Sequence, residues 1–130
     1  MIPSPSRAVR VLTVDDQAVF RMAAREVIEA TPGFEAVAEA GSGAEALTLT
    51  ESLRPDLILM DVRMPGMGGV ETSRRLHETR SEALVVLISF EDPADVDPVA
   101  QGCGAMACVR KQDFSPATLR KLWEDHRRIT

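Results

Sequence analysis

The sequence predicts an α/β protein, a doubly wound parallel sheet of five strands assembled from five strand–helix units. Three observations carry that expectation. Short β-branched runs alternate with segments of helical period along the whole chain. Runs such as Leu57 to Met60 and Ala83 to Ile88 are continuously apolar rather than alternating, although Phe34 to Ala40 alternates in part, as in a parallel sheet covered on both faces. A length of 130 residues, 45% hydrophobic and 27% charged, supplies one sizeable core and not two.

Residues 1–7, with Pro3 and Pro5, read as a disordered lead-in, and residues 8–128 as the folded domain. Val9 to Val14 is the first strand. Gln17 to Thr31 carries Val19, Phe20, Ala23, Ala24, Val27 and Ile28 at helical spacing, and Pro32-Gly33 ends it. Phe34 to Ala40 is the second strand. Ser42 or Gly43 opens the second helix, with Ala46, Leu47 and Leu53 on one side, and Arg54-Pro55 stops it. Leu57 to Met60 is an apolar run that ends in Asp61. Gly69 to Glu78 is the third helix, and Ala83 to Ser89 the most apolar strand. The stretch from Glu91 to Pro98 holds two prolines and four acids. Because proline belongs in a first helical turn, it predicts a mobile loop and then a short fourth helix starting near Pro98. Ala105 to Arg110 is the fifth strand. Pro116 to Arg127 is the last helix, with Ser115 as N-cap and Pro116 at the first helical position.

Composition narrows the function. A net charge of −5 and a pI near 5.0 argue against a basic nucleic-acid surface. Arg120, Lys121, Arg127 and Arg128 cluster, but Glu124 and Asp125 interleave them, as on a solvated helix face. No signal-peptide pattern is visible and no run approaches the roughly 18 apolar residues of a membrane span. A cytoplasmic protein with free thiols at Cys103 and Cys108 is expected. His77 and His126 have no partners at ligand spacing and read as surface residues.

In an open parallel sheet the ligand site lies outside the carboxyl ends of the strands. There the sequence places Asp15 and Asp16 after the first strand, Asp61 at the end of the third, Ser89 at the end of the fourth and Lys111 just past the fifth. Three close carboxylates repel unless a cation shares them, and hard oxygen ligands with water suit Mg²⁺. A carboxylate can attack phosphorus to give an acyl phosphate. A transferring phosphoryl group needs in-line placement, a metal and a cationic side chain. Lys111 supplies the cation and Ser89 a hydrogen bond. With 13 arginines and two lysines in the chain, Lys111 stands out as a compact ammonium where arginine would be usual.

These stretches resemble the receiver domain of two-component response regulators. The matching pieces are Val14-Asp15-Asp16-Gln17, the run Leu57 to Gly69 with Asp61 and Met64-Pro65-Gly66, Leu87-Ile88-Ser89, and Val109-Arg110-Lys111. Together they span about residues 8–128. The resemblance implies a flavodoxin-like strand order 2-1-3-4-5. It implies that Asp61 accepts phosphate from a sensor histidine kinase. It implies Mg²⁺ held by Asp16, Asp61 and the backbone carbonyl of Arg63, with Asp15 acting through water. Ser89 would be the switch hydroxyl and Lys111 the phosphoryl partner. The face of helix four, strand five and helix five would then change to control a partner, an output domain or a second copy.

Three positions depart from the pattern. Cys108 stands where the family often has an aromatic switch, and the chain has no Tyr. It reads as a small core residue. Gln112, rather than proline, follows the lysine, which resembles the branch carrying helix-turn-helix output domains. The irregular fourth helix is the third departure. Arg63 and Glu91 flank the site and are expected to tune how long the phosphoryl group survives. A phosphorylation-independent interaction module is the alternative reading, favoured by the missing aromatic and the odd fourth helix. A small Asp-dependent phosphotransferase or phosphatase is a third, but no cap-sized insertion separates the elements. Ending just after the fifth helix, the chain reads either as a stand-alone receiver or as a fragment of a longer regulator.

Overall fold

Strands and helices alternate without interruption: β1 (Val9–Val14), α1 (Ala18–Glu29), β2 (Phe34–Ala40), α2 (Gly43–Leu53), β3 (Leu57–Asp61), α3 (Gly69–Glu78), β4 (Leu84–Ser89), α4 (Pro93–Ala100), β5 (Ala107–Arg110) and α5 (Pro116–Ile129). A single 3₁₀ turn, Lys111–Asp113, links β5 to α5. The structure, a computed structural model, describes residues 7–129, and side chains from 7 to 126. The lead-in expected at the N-terminus lies outside the described residues except for Arg7, whose guanidinium pairs with Asp56 at 3.2 Å.

The five strands form one parallel sheet in the order β2-β1-β3-β4-β5, as the resemblance implied. β3 is central and buried along its whole length. Its alternate residues feed two cores. Leu57 and Leu59 join Val11, Ile28, Val86, Ile88 and Leu119 on the side of α1 and α5. Ile58 and Met60 join Leu12, Val14, Ala46, Leu76, Leu87 and Val96 on the side of α2, α3 and α4. With both faces covered, every residue of the strand can be apolar, so the sequence shows runs instead of alternation. Each buried Val, Leu, Ile or Met side chain among these contributes about 1.5–3 kcal/mol relative to exposure.

The register is fixed at the opposite edge from the site. Asp56 accepts the Arg10 amide at 2.9 Å and donates its own amide to the Arg10 carbonyl at 2.8 Å, locking the starts of β1 and β3 together. The Arg10 guanidinium also donates to the carbonyls of Leu53 and Arg54, at 2.6 and 2.9 Å, where α2 would otherwise leave acceptors orphaned. Ser42 and Glu45 cap the other end of α2: the Ser42 hydroxyl accepts from the Glu45 amide and the Glu45 carboxylate accepts from Gly41. Ser115 caps α5 as expected, its hydroxyl accepting from the Thr118 amide at 3.2 Å.

The fourth helix corrects the sequence reading. It starts at Pro93, not near Pro98. Asp92 is the N-cap, accepting from the Ala94 amide at 2.9 Å, and Pro93 takes the first helical position that proline tolerates. Val96, 1% exposed, anchors the helix on the sheet. Pro98 therefore lies inside the helix and removes the hydrogen bond to Ala94. Buried anchorage outweighs that loss because the helix ends only two residues later, at Ala100. No helix among the described residues is long and apolar enough to cross a membrane.

Candidate functional site

The chain leaves β1 toward β2 on one side and returns to β3 on the other, so the strand order reverses between β1 and β3. Such a switch point opens a crevice at the carboxyl ends. Asp15 and Asp16 follow β1, and Asp61 is the last residue of β3. Carboxylate oxygens of all three lie within 4.8 Å of one another. Asp15 and Asp61 are buried, at 0% and 4% exposure, and Asp16 is exposed.

Backbone contacts fix Asp15. Its amide donates to Ala40 and its carbonyl accepts from the Arg21 guanidinium at 2.6 Å. One carboxylate oxygen, Oδ1, accepts the Gln17 amide at 2.9 Å, an Asx turn that starts α1. The other, Oδ2, lies 2.6 Å from Lys111 Nζ without a directed hydrogen bond and has no other partner. Lys111 also reaches Asp61 Oδ1 at 3.4 Å, with its side chain only 4% exposed.

One ammonium facing three carboxylates leaves an excess of negative charge. The Asp61 carboxyl is pushed up from its usual 3.8 to about 6. Burial is the main cause and the Asp15 charge the second, while Lys111 and the Arg63 amide, 3.4 Å from Asp61 Oδ1, pull the other way. An under-satisfied buried carboxylate oxygen among hard oxygen donors fits a small divalent cation such as Mg²⁺. Asp15, Asp16 and Asp61 are the side chains that could hold it.

The loop from Val62 to Gly68 carries the chain from Asp61 to α3. Gly66 adopts a left-handed φ of +75°, which glycine accepts freely. Gly69 packs directly under the acceptor: a Cβ there would overlap the Asp61 carbonyl oxygen and come within 2.8 Å of the Asp61 carbonyl carbon.

Ser89 and Lys111 occupy the neighbouring strand ends. Asp61 is in register with Ile88, and Ser89 with Arg110, so the acceptor, the hydroxyl and the lysine follow one another across the edge. The buried Ser89 hydroxyl accepts the Glu91 amide at 2.9 Å. Glu91 forms a two-pronged ion pair with Arg63, at 2.7 and 3.2 Å, joining the loop after the acceptor to the loop after the hydroxyl. That contact holds the Glu91 carboxyl below its ordinary range.

Asp15, Asp16, Asp61 and Lys111 thus form the central cluster the sequence pointed to, with Ser89 and Arg63 at its border. Two neighbours were not assigned there. The rings of Phe20 and Phe90 each lie 4.7 Å from Lys111 Nζ. The place of Phe90 beside Ser89, and of Phe20 one helical turn past the acids, are the signals the sequence offers. Cys108, at the aromatic-switch position, is half-buried and packs against the core. Burial first, then the Asp97 and Glu91 charges and Cys103, push its thiol up, so it is not a poised thiolate. It borders a hollow of about 570 Å³ between α4 and β5.

Comparison with known proteins agrees with this geometry. Residues 11–124 match the family model of the response regulator receiver domain. The chain is 38% identical over 104 residues to the transcriptional regulatory protein LiaR of Bacillus subtilis, covering 79% of this chain and 49% of LiaR. It is 39% identical over 112 residues to PdtaR of Mycobacterium tuberculosis, covering 83% of this chain and 54% of PdtaR. The chain thus spans about half the length of these curated relatives. Among solved structures, a LuxR-family response regulator from an Aurantimonas species superposes with a TM-score of 0.81 at 31% identity, over 91% of this chain and 84% of that one. The response regulator domain of Thermotoga maritima CheB superposes with a TM-score of 0.77 at 28% identity, over 94% of this chain and 96% of that one. With its acids and lysine gathered at the switch point of a 2-1-3-4-5 sheet, the chain belongs to the response regulator receiver family, the phosphorylation-based signalling modules of two-component systems.

Proposed function

We propose that this chain is a phosphorylation switch in which Asp61 accepts a phosphoryl group from the phosphohistidine of a sensor kinase. The observation that carries the reading is Lys111, a buried ammonium 2.6 Å from Asp15 and 3.4 Å from Asp61. A buried lysine shared by two carboxylates beside a third is costly as a structural device alone. It is well suited to neutralising a phosphoryl group placed on one of them.

A carboxylate oxygen of Asp61 attacks phosphorus in line. The bond from phosphorus to the donor imidazole breaks, the imidazole keeps the electron pair and takes a proton, and an acyl phosphate forms. Asp15, Asp16 and Asp61 would hold Mg²⁺, with the Arg63 carbonyl as a further ligand. Bound there, the ion would offset charge on the phosphoryl oxygens. The Lys111 ammonium, beside Asp61, offsets it as well. The Ser89 hydroxyl leaves the Glu91 amide and donates to a phosphoryl oxygen. The modification adds about −1.5 to −2 charge at a site already short of cations. The strand end at Ser89 and the α4–β5–α5 face respond, and a partner, an output domain or a second copy reads the change. The chain acts as an acceptor with at most self-dephosphorylation, not as a turnover enzyme.

Incubation with acetyl phosphate and Mg²⁺, followed by intact mass measurement, tests this. The wild type is expected to gain one phosphoryl group and Asp61→Ala none. No gain in the wild type would favour a phosphorylation-independent binding module. Steady turnover of a foreign phosphomonoester would favour an enzyme.

The Arg63–Glu91 pair supports a second expectation. The bridge ties the loop after Asp61 to the loop after Ser89, whose hydroxyl accepts the Glu91 amide. Arg63→Ala and Glu91→Ala are expected to change the decay rate of the acyl phosphate by several-fold, roughly the effect of misplacing one polar group. Both variants decaying at the wild-type rate, by time-resolved mass measurement, would remove this role.

A further inference from the structure

We infer that Phe20 and Phe90 clamp the Lys111 ammonium between two aromatic faces and are positioning residues for phosphoryl transfer. The inference rests on the reading of Asp61 as acceptor and deepens it. Both ring centroids lie 4.7 Å from Lys111 Nζ, inside the range in which a ring quadrupole attracts a cation. The rings come from different elements. Phe20 sits on α1 and packs into the core on the α1–α5 side, so its position is set by burial. Phe90 follows Ser89 at the end of β4 and is 64% exposed. A phenyl ring so exposed gains little from burial where it lies, and its face meets the ammonium there.

The clamp has a chemical consequence. An ammonium carries three N–H donors. Here it lies near two carboxylates, Asp15 and Asp61, and over the faces of two rings. Aromatic faces hold a cation in place and keep water off it without occupying a donor as an oxygen acceptor would. Lys111 is thereby confined beside Asp61 while keeping a donor for an incoming phosphoryl oxygen. A long flexible side chain fixed this way enters the reaction with less ordering left to do. Phe90 is also covalently next to the Ser89 hydroxyl, so one short segment orients both groups that meet the phosphoryl.

The test exploits the chain's two lysines. Isotope labelling of lysine gives two sets of ε-methylene signals, and Lys121, exposed on α5 and paired with Asp125 at 3.1 Å, is the internal reference. The Lys111 ε-protons are expected upfield of those of Lys121 through the ring currents. Phe90→Leu should move them back in part, and Phe20→Leu with Phe90→Leu further. Leucine keeps apolar bulk without a π face, and Phe90 is exposed enough for its replacement to leave the fold intact, checked by the amide spectrum. The initial rate of acetyl phosphate-driven phosphorylation should fall roughly three- to tenfold in Phe90→Leu and return in Phe90→Tyr. Coincident Lys111 and Lys121 signals in the wild type, or a Phe90→Leu rate equal to wild type, would overturn the clamp while leaving the acceptor reading intact. A wild type that is not phosphorylated at all, with Lys111 still shifted upfield, would instead overturn the acceptor reading and the positioning role together.

Discussion

Gly69→Ala is expected to destabilise the protein by about 3 kcal/mol or more and to lower Asp61 phosphorylation at least about a hundredfold. The added methyl group would overlap the carbonyl oxygen of Asp61 and lie 3.0 Å from the Met60 side chain. A flexible side chain could move aside, but the nearest atoms belong to the backbone of β3. That strand is buried along its whole length and hydrogen-bonded between β1 and β4. Either α3 shifts away, losing the bond from the Gly69 amide to the Val62 carbonyl at 3.0 Å, or Asp61 does. Both routes move the acceptor relative to Lys111, and displacements of about 1 Å can cost a hundredfold in rate. Gly66→Ala is the informative contrast. Gly66 has a φ of +75° but nothing within 4 Å of a Cβ, so its cost is confined to left-handed strain of about 1–2 kcal/mol. Urea midpoints and acetyl phosphate rates of the two variants separate a crowded acceptor from a strained turn. Equal effects in both would mean that β3 yields freely at Asp61.

The sequence made Gly69 visible as part of a turn but not as the floor of the site. That difference describes what was legible more generally. Strand identity was readable because burial on both faces imposes apolar runs such as Leu57 to Met60, and the bounds of β1, β2 and α3 agree with the expected ones. The acids and Lys111 were readable because each lies at or just beyond a strand's carboxyl end, where topology alone brings side chains together. The start of α4 was not. Two prolines within one segment compete for the first helical turn, and the choice depends on whether Val96 finds the core, a tertiary fact. The 3₁₀ turn that begins at Lys111 was also missed, since Lys111-Gln112-Asp113 carries no period. Contacts between elements were the least legible. The Arg63–Glu91 pair joins residues 28 positions apart, and the aromatic clamp joins α1, the end of β4 and the end of β5. In each case the sequence showed the partners but not the meeting.

The burial of Asp61 beside the Asp15 charge sets the last and sharpest expectation, a stability that runs opposite to the usual carboxylate. In metal-free buffer the folded protein holds the Asp61 proton up to about 6, whereas the unfolded chain releases it near 3.8. Between those values the native state binds more protons than the unfolded state, so stability falls as pH rises through that window and levels off above about 6. The loss attributable to Asp61 is about 1–3 kcal/mol. Glu71, Glu91 and Asp92, held below their ordinary ranges by hydrogen bonds to Arg75 and Arg74, to Arg63 and to the Ala94 amide, act with the opposite sign at lower pH. The difference between wild type and Asp61→Asn therefore isolates the site better than either curve alone. At pH 7 with chelator, Asp61→Asn is expected to be more stable than wild type by about the same 1–3 kcal/mol, because the amide removes a charge that is costly first for its burial and second for its repulsion with Asp15. Mg²⁺ should reverse the order. A cation competes with the proton for Asp61, so added Mg²⁺ stabilises the wild type increasingly from pH 5 to pH 8 and stabilises Asp61→Asn much less. Thermal melts across pH, with chelator and with Mg²⁺, give all four curves. If Asp61→Asn were no more stable than wild type at pH 7 without metal, Lys111 would already offset both the burial of Asp61 and its repulsion with Asp15, and the case for a cation there would lose its physical basis.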